Sequence, residues 1–294
     1  MKVYIKEHKR HAGKWIYEGY KSAWTHLGYD TEYYSDLHDI KGDDYQLMAL
    51  DGDVNFSNIS KLEKANRVYL HTQPNHFPLP WGSHPNFVST CPLNVIDVIS
   101  KMDNVYKWSF GMVTDFHKKW GHVHEIPLAF DSINYRPVKD KRYEFDVCFI
   151  GGWADNGFNE KMKIIIEHLG PFKASGLKCG FFINKNISHN DENLILSNSK
   201  IAINIHDAYQ RKLGLDTNER TFKSLGLNGF LISDHVEYIK NTLPNALLAK
   251  TAKDMFDLIM EYIEKDLQAT KNKNREDILK NHTYKTRVQE FLSL

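Results

Sequence analysis

The sequence has no apolar run approaching the roughly 20 residues that a membrane-spanning helix needs. Its opening segment, MKVYIKEHKRH, contains no apolar stretch of the kind a secretory signal carries, so a cytoplasmic protein is expected. It has only three cysteines, Cys91, Cys148 and Cys179, which cannot all pair and show no CxxC spacing. They read as small buried or half-buried residues of a reducing compartment. Neither sign of charge is in excess: 38 basic side chains face 37 acidic ones, for a formal net charge of +1. That balance excludes a uniformly basic nucleic-acid-binding surface and leaves room for local patches. No internal repeat or low-complexity tract occurs, which sets aside repeat architectures. What is present fits a soluble globular chain of 294 residues, 41% hydrophobic and 26% charged, with material for two cores.

A short β-rich run at 3–5 leads through a polar loop to Trp15, Ile16, Gly19, Tyr20, Ala23, Trp24 and Leu27. Spacings of three and four predict a core-facing helix, closed by Gly28. Runs at 29–34, 45–50 and 67–72 predict further strands, and 86–91 followed by 94–102 repeats the strand–helix step. A short amphipathic helix is expected over 113–120 and an extended segment over 122–130. Pro127, Pro137 and the polar stretch KDKRYE place a domain boundary near 138. The pattern then restarts. FDVCFI at 145–150 is almost continuously apolar, as a strand buried on both faces should be. Gly151-Gly152 follows, and 161–169 supplies a helix. Strands are expected at 180–183, 201–205 and 230–233, and helices over 252–265 and from 275 onward. This alternation implies an α/β protein of two doubly wound, Rossmann-like domains, 1–137 and 138–294, facing each other across a cleft. The last helix is left open to cross back to the first domain.

Three blocks in order carry a family resemblance. Pro127-Leu128-Ala129-Phe130-Asp131 through Tyr135-Arg136-Pro137 looks like the hinge linker of GT-B-fold glycosyltransferases. Phe145-Asp146-Val147-Cys148-Phe149-Ile150-Gly151-Gly152 resembles the strand and glycine turn that open their second domain. The third block joins Ser199-Lys200-Ile201-Ala202-Ile203-Asn204-Ile205-His206, Asn218-Glu219-Arg220-Thr221-Phe222 and Gly229-Phe230-Leu231-Ile232-Ser233-Asp234. It resembles the CgeB-type, spore-maturation glycosyltransferase-like family, in register over 125–265. A shorter likeness, in DVCFIGGW and Lys285-Thr286-Arg287, is to the phage DNA β-glucosyltransferases. The resemblance implies a GT-B fold and a metal-independent hexosyl- or pentosyltransferase taking a nucleotide-diphosphate sugar, UDP-linked, as donor. The acceptor hydroxyl stays open between a glycan, a protein and a hydroxymethylated DNA base. A binding protein that kept the fold and lost turnover is the rival reading.

Physical chemistry points to the same segments. A nucleotide diphosphate needs backbone N–H donors at a turn or helix start, and a cation fixed beside them. Gly151-Gly152 would let the backbone approach a phosphate closely, and the planar fork of Arg220 suits two phosphate oxygens. His206, Asn218 and Glu219 complete the expected donor site. The plainer explanation is a tight turn and a surface ion pair, which three blocks in order disfavour. In the family, an acidic residue three positions after the arginine binds the donor ribose; here that position is Lys223, which can only donate. A neighbour such as Glu219 or Asp216 is expected to replace it, the alternatives being a Lys223–phosphate contact or a degenerate site.

For the acceptor's base, the loop after the first strand offers His11, beside Gly13, and then Glu7, although a solvated basic loop would look the same. Asp51-Gly52-Asp53 has the look of the metal-binding DxD of the other glycosyltransferase fold, yet two acids around a glycine also make an ordinary turn. No metal is therefore expected, and Asp51 and Asp53 stand as further candidates for the base. His122-x-His124 would share one face of a strand, without a third ligand. The aromatic loop 71–81, with His76, Phe77 and Trp81, is the expected acceptor surface, with loop packing as its competitor. A DNA acceptor would draw its basic rim from Lys6, Lys9, Arg10, Lys14, Lys118 and Lys119.

Overall fold

The structure is a computed structural model that describes residues 1–9, 11–82, 84, 87–153 and 160–294, with the backbone alone for His11. It divides into two compact units, Met1–Pro127 together with Tyr284–Leu294, and Leu128–Thr283.

The first unit holds β1 (Lys2–Lys6), α1 (His11–His26), β2 (Asp30–Tyr34), β3 (Tyr45–Leu50), α2 (Ser60–Lys64), β4 (Arg67–His71), α3 (Leu93–Ile99), β5 (Val105–Ser109) and β6 (His124–Glu125). All pair in parallel, in the order β2-β1-β3-β4-β5-β6, so the chain reverses its direction of travel across the sheet between β1 and β3. Such a reversal splays the loops at the carboxyl ends of the two strands and opens a crevice between them. Helix α1 forms because Ile16, Tyr17, Tyr20, Ala23 and Trp24 recur on one face, and all five are buried. Gly28, with φ +92°, follows its end.

The second unit runs β7 (Val147–Gly151), α4 (Glu160–Leu169), β8 (Cys179–Ile183), α5 (His189–Asn198), β9 (Ile201–Asn204), α6 (Ala208–Leu213), α7 (Glu219–Leu227), β10 (Leu231–Asp234), α8 (Glu237–Thr242), β11 (Leu247–Ala249), α9 (Ala252–Ile263) and α10 (Gln268–Asn281). Its sheet is parallel in the order β11-β10-β9-β7-β8, with the reversal between β7 and β9. Val147, Phe149, Ile201, Ile203 and Ile232 meet Met255 and Ile259 of α9 in one core. Burying each such side chain contributes about 1.5–3 kcal/mol. The last helix, α11 (Tyr284–Ser293), belongs to the first unit, where Tyr284 and Phe291 lie 4.7 and 5.7 Å from the ring of Tyr20.

Some expectations need correction. No strand forms over the described residues of 86–91: the N–H groups of Phe87 and Val88 both turn back to the carbonyl of His84, so buried apolar residues sit in turns. The helix expected over 113–120 is a tighter 3₁₀ segment, Asp115–Trp120, capped by Thr114. Helices α2, α5, α6 and α8 and strand β11 were not foreseen. Among the described residues no helix is long and apolar enough to cross a membrane, and the three cysteines carry free thiols.

Candidate functional site

In the second unit, β7 ends in Gly151 and β9 in Asn204, the two strands that flank the reversal. The turn after β7 is shaped by Asn184, whose N–H donates to the Gly151 carbonyl at 2.9 Å and whose Oδ1 accepts from the Trp153 N–H at 3.0 Å. A Cβ on Gly152 would fall 1.8 Å from that Oδ1, so any other residue would push the Asn184 amide out of the turn. A Cβ on Gly151 would fall 2.9 Å from Cζ of Arg220. The guanidinium therefore lies directly over bare backbone.

Arg220 stands in the first turn of α7, which Asn218 caps by accepting the Thr221 N–H. Its Nη1 donates to Asn204 Oδ1 at 3.2 Å, and its Cζ sits 5.6 Å above the Phe149 ring. Burial lowers its pKa, opposed by Glu192, Glu219, Asp207 and Asp234, and the group stays cationic.

Behind Asn204 runs a chain of buried hydrogen bonds. Asn204 Nδ2 donates to Thr221 Oγ1 (2.8 Å), the Thr221 hydroxyl meets Thr217 Oγ1 (2.6 Å), and Thr217 meets His206 Nε2 (2.7 Å). Nδ1 of His206 reaches Asp234 at 2.6 Å. Burial holds this imidazole neutral, so its Nδ1–H donates to Asp234 and its Nε2 accepts from Thr217. Burial alone would raise the Asp234 carboxyl; bonds from the His206 side chain and backbone, with the charge of Lys161, hold it below the usual carboxylate range. His206 is thus fully buried and braces the arginine at a distance, through Asn204.

Lys223 is 1% exposed. Its ammonium bonds Glu192 of α5 at 3.0 Å and Glu219 at 3.2 Å, and it lies 5.0 Å from the Tyr135 ring. Burial raises the Glu219 carboxyl, with Lys223 pulling the other way. Sequence reading missed two groups here. Glu192 was hidden because α5 went unread, although Ser188 with Asp191 three residues on is a capping signal. Lys161 lies in the first turn of α4, buried, 3.7 Å from Asp207, and burial lowers its pKa to about 8. Its place on the stripe with Ile165 and His168 was the available cue. Asp216 is elsewhere engaged, accepting from Tyr209, and burial lifts its carboxyl to about 7.

In the first unit the reversal between β1 and β3 brings together Glu7 and the Asp51–Asp53 turn. Asp53 pairs with Lys6 at 3.1 Å. Asp51 is buried, accepts the Gln73 N–H at 3.0 Å, and burial raises it to about 6. Glu7 accepts from the Ser35 hydroxyl at 2.8 Å, which lowers its pKa, as does Lys9. His8, passed over in sequence, stacks on Tyr17 at 4.8 Å with its buried Nε2 unbonded, and burial keeps it neutral. The side chain of His11 and all of Arg10 lie outside the described residues. Of the expected acceptor residues His76 is exposed, whereas Phe77 and Trp81 are buried, Phe77 edge-on to Phe116 at 5.5 Å. His122 and His124 stack edge to face at 4.4 Å. No group of three metal-ligating side chains occurs among the described residues.

A family model described as glycosyl transferase-like matches residues 136–293, more than half of the 294-residue chain. No curated protein matches the sequence. Among solved structures, an alpha-glucosyltransferase in complex with UDP and a 13-mer DNA containing a HMU base aligns over 100% of this chain and 98% of its own. The TM-score is 0.62 at 12% identity. An alpha-glucosyltransferase in complex with UDP aligns over 100% and 99%, with TM-score 0.61 and 11% identity. A UDP-forming α,α-trehalose-phosphate synthase from Burkholderia vietnamiensis aligns over 87% and 75%, with TM-score 0.52 and 11% identity. At such identities the likeness is one of fold, two Rossmann-like units of the GT-B type.

Proposed function

The chain belongs to the glycosyl transferase-like family, and from that premise we propose that it moves a sugar from a UDP-linked donor to a hydroxyl acceptor without a metal. The observation that carries this reading is the guanidinium of Arg220, seated over the glycine turn at the carboxyl end of β7. There the donor diphosphate would meet backbone N–H groups and a fixed cation at once. Lys161, close enough for its charge to be felt at Arg220, would add a second positive charge as the leaving diphosphate forms. Lys223, held between Glu192 and Glu219, has no need of a phosphate; it fixes two carboxylates beside Arg220, and these would take over the ribose contact. Asn218 and His206 act on the donor through the helix cap and the bonded chain that orient Arg220.

The acceptor's proton would pass to a base at the reversal of the first sheet, where Asp51, Glu7, Asp53, His11 and His8 are the candidates. Asp51, lifted to about 6, has a pKa suited to a base at neutral pH. Of the loop residues, the exposed His76 would meet the acceptor, while the buried Phe77 and Trp81 would hold the loop that carries it. A hydroxymethylated DNA base is the second reading of the acceptor. It is favoured by full-length likeness to a glucosyltransferase bound to DNA containing a HMU base.

Calorimetry with UDP followed by a sugar-release assay across several UDP-sugars tests the proposal. Binding with release, unaffected by EDTA, is expected. Binding without release from any donor would leave a binding protein instead. Transfer to DNA that is insensitive to salt would count against the second reading.

A further inference from the structure

Residues Asp146, Lys178 and Lys200 immediately precede β7, β8 and β9, at the end of the second sheet opposite the Arg220 crevice. A groove of about 870 Å³ opens there. Lys139, Lys141, Lys178, Lys200 and Lys271 line it. Asp140, Glu144 and Asp146 share the lining, but Asp140 already holds Arg142 at 2.6 Å. The near-neutral charge of the whole chain hides this local excess.

Two of the lysines are half-buried and donate to backbone carbonyls, Lys200 to Ile263 and Lys271 to Ser199. Arg275 lies one turn further along α10, with its buried Nε unbonded. Burial lowers the Lys271 ammonium to about 8, and repulsion from Arg275 and Lys200 adds to the shift, while the Cys148 thiol acts the other way. The mutual repulsion of Lys271, Lys200 and Arg275 is a cost that a bound anion would relieve.

We propose that this groove docks the sugar-phosphate backbone of a nucleic acid. Ammonium groups hold phosphates as point charges, without the fork geometry that selects one oriented phosphate. They are spread over a groove far larger than a single phosphate. The lining aromatic, Phe145, has one neighbour in Gly180, where a Cβ would fall 2.8 Å from its ring, and another in Lys178, whose ammonium lies 5.3 Å from the ring centroid. Its ring is engaged within the unit, so the contact is to backbone and carries no sequence preference. This docking does not depend on the transfer reaction.

Fluorescence anisotropy of a labelled 20-base-pair duplex with the full chain, from 50 to 300 mM salt, tests the proposal. Changing the exposed Lys139, Lys141 and Lys178 to Glu should weaken binding about tenfold or more and reduce the salt slope by about two to three. Thermal stability and UDP affinity should not change. Changing Lys163, Lys240 and Lys253 to Glu, exposed residues of the same unit that do not line the groove, should alter binding less than twofold. Equal losses in the two triple variants would reduce the effect to net charge and overturn the proposal. Displacement of the duplex by saturating UDP would place the contact at the crevice, and displacement by millimolar pyrophosphate would make the groove a small-anion site; either result also overturns it. UDP affinity is read on the same proteins, so failure of the docking leaves the transferase reading standing.

Discussion

Replacing Lys223 with methionine is the sharpest test of how the crevice in the second unit is held together. The ammonium sits 3.0 Å from Glu192 and 3.2 Å from Glu219 and is 1% exposed. Methionine keeps much of the volume but leaves two neighbouring carboxylates without their counter-charge. Removing one partner of a buried ion pair costs about 3–5 kcal/mol. In a unit of this size that lowers Tm by roughly 6–20 °C. The loss should depend on pH in one direction. Burial already raises the Glu219 carboxyl, and without Lys223 it rises further. The folded variant then keeps protons that the unfolded chain has released, so its stability falls as pH rises from the ordinary carboxyl range towards 8. Melts followed by circular dichroism should therefore show the larger deficit against wild type at pH 8 and a smaller one at pH 5. Adding Glu192→Gln and Glu219→Gln should recover much of it. A deficit under about 1 kcal/mol, equal at both pH values, would refute the idea that Lys223 is a structural counter-ion.

Arg220→Ala should weaken UDP binding by about tenfold to a hundredfold in calorimetry, the value of one charge-assisted phosphate contact. Gly151→Ala should reproduce most of that loss with Arg220 intact, since the new methyl would meet the guanidinium; unchanged affinity would separate the arginine from the turn. Asp51→Asn should stabilise the protein at pH 8 by up to about 3 kcal/mol, because the buried carboxyl, lifted to about 6, is ionised there at a cost. That gain should vanish as pH falls from about 6 towards 4, as denaturation at the two pH values can show. A loss of sugar transfer in the same variant would mark Asp51 as the base.

The central strands of the second sheet, β7, β9 and β10, were legible because they are buried on both faces, and a run such as VCFIG then needs no alternation to declare itself. Arg220 and the glycine turn were legible because they lie within short, ordered blocks. The fate of Lys223 was not, since its partner Glu192 is 31 positions away on a weakly apolar helix. Nor could spacing show that His206 faces Asp234 rather than solvent; that follows from β9 and β10 lying side by side. The first unit was harder for a different reason. Phe87 and Val88 are apolar and buried, like strand residues, but their N–H groups are satisfied within a turn. Apolar periodicity reports burial, and only the bonding partner distinguishes a strand from a loop.

Helix α11 has a consequence for how the chain is made. Its Phe291 closes the aromatic layer of the first unit, 5.0 Å from both Tyr69 and Trp108. A ribosome delivers that helix only after all 156 residues of Leu128–Thr283. The amino-terminal sheet should therefore leave the exit tunnel with Tyr20, Tyr69 and Trp108 uncovered and stay protease-sensitive while the intervening unit matures. Nascent chains halted at Thr283 would show this, and full protection of residues 1–127 in them would disprove it. For these two units the order of synthesis and the order of completion run opposite ways: the one begun earlier is completed later.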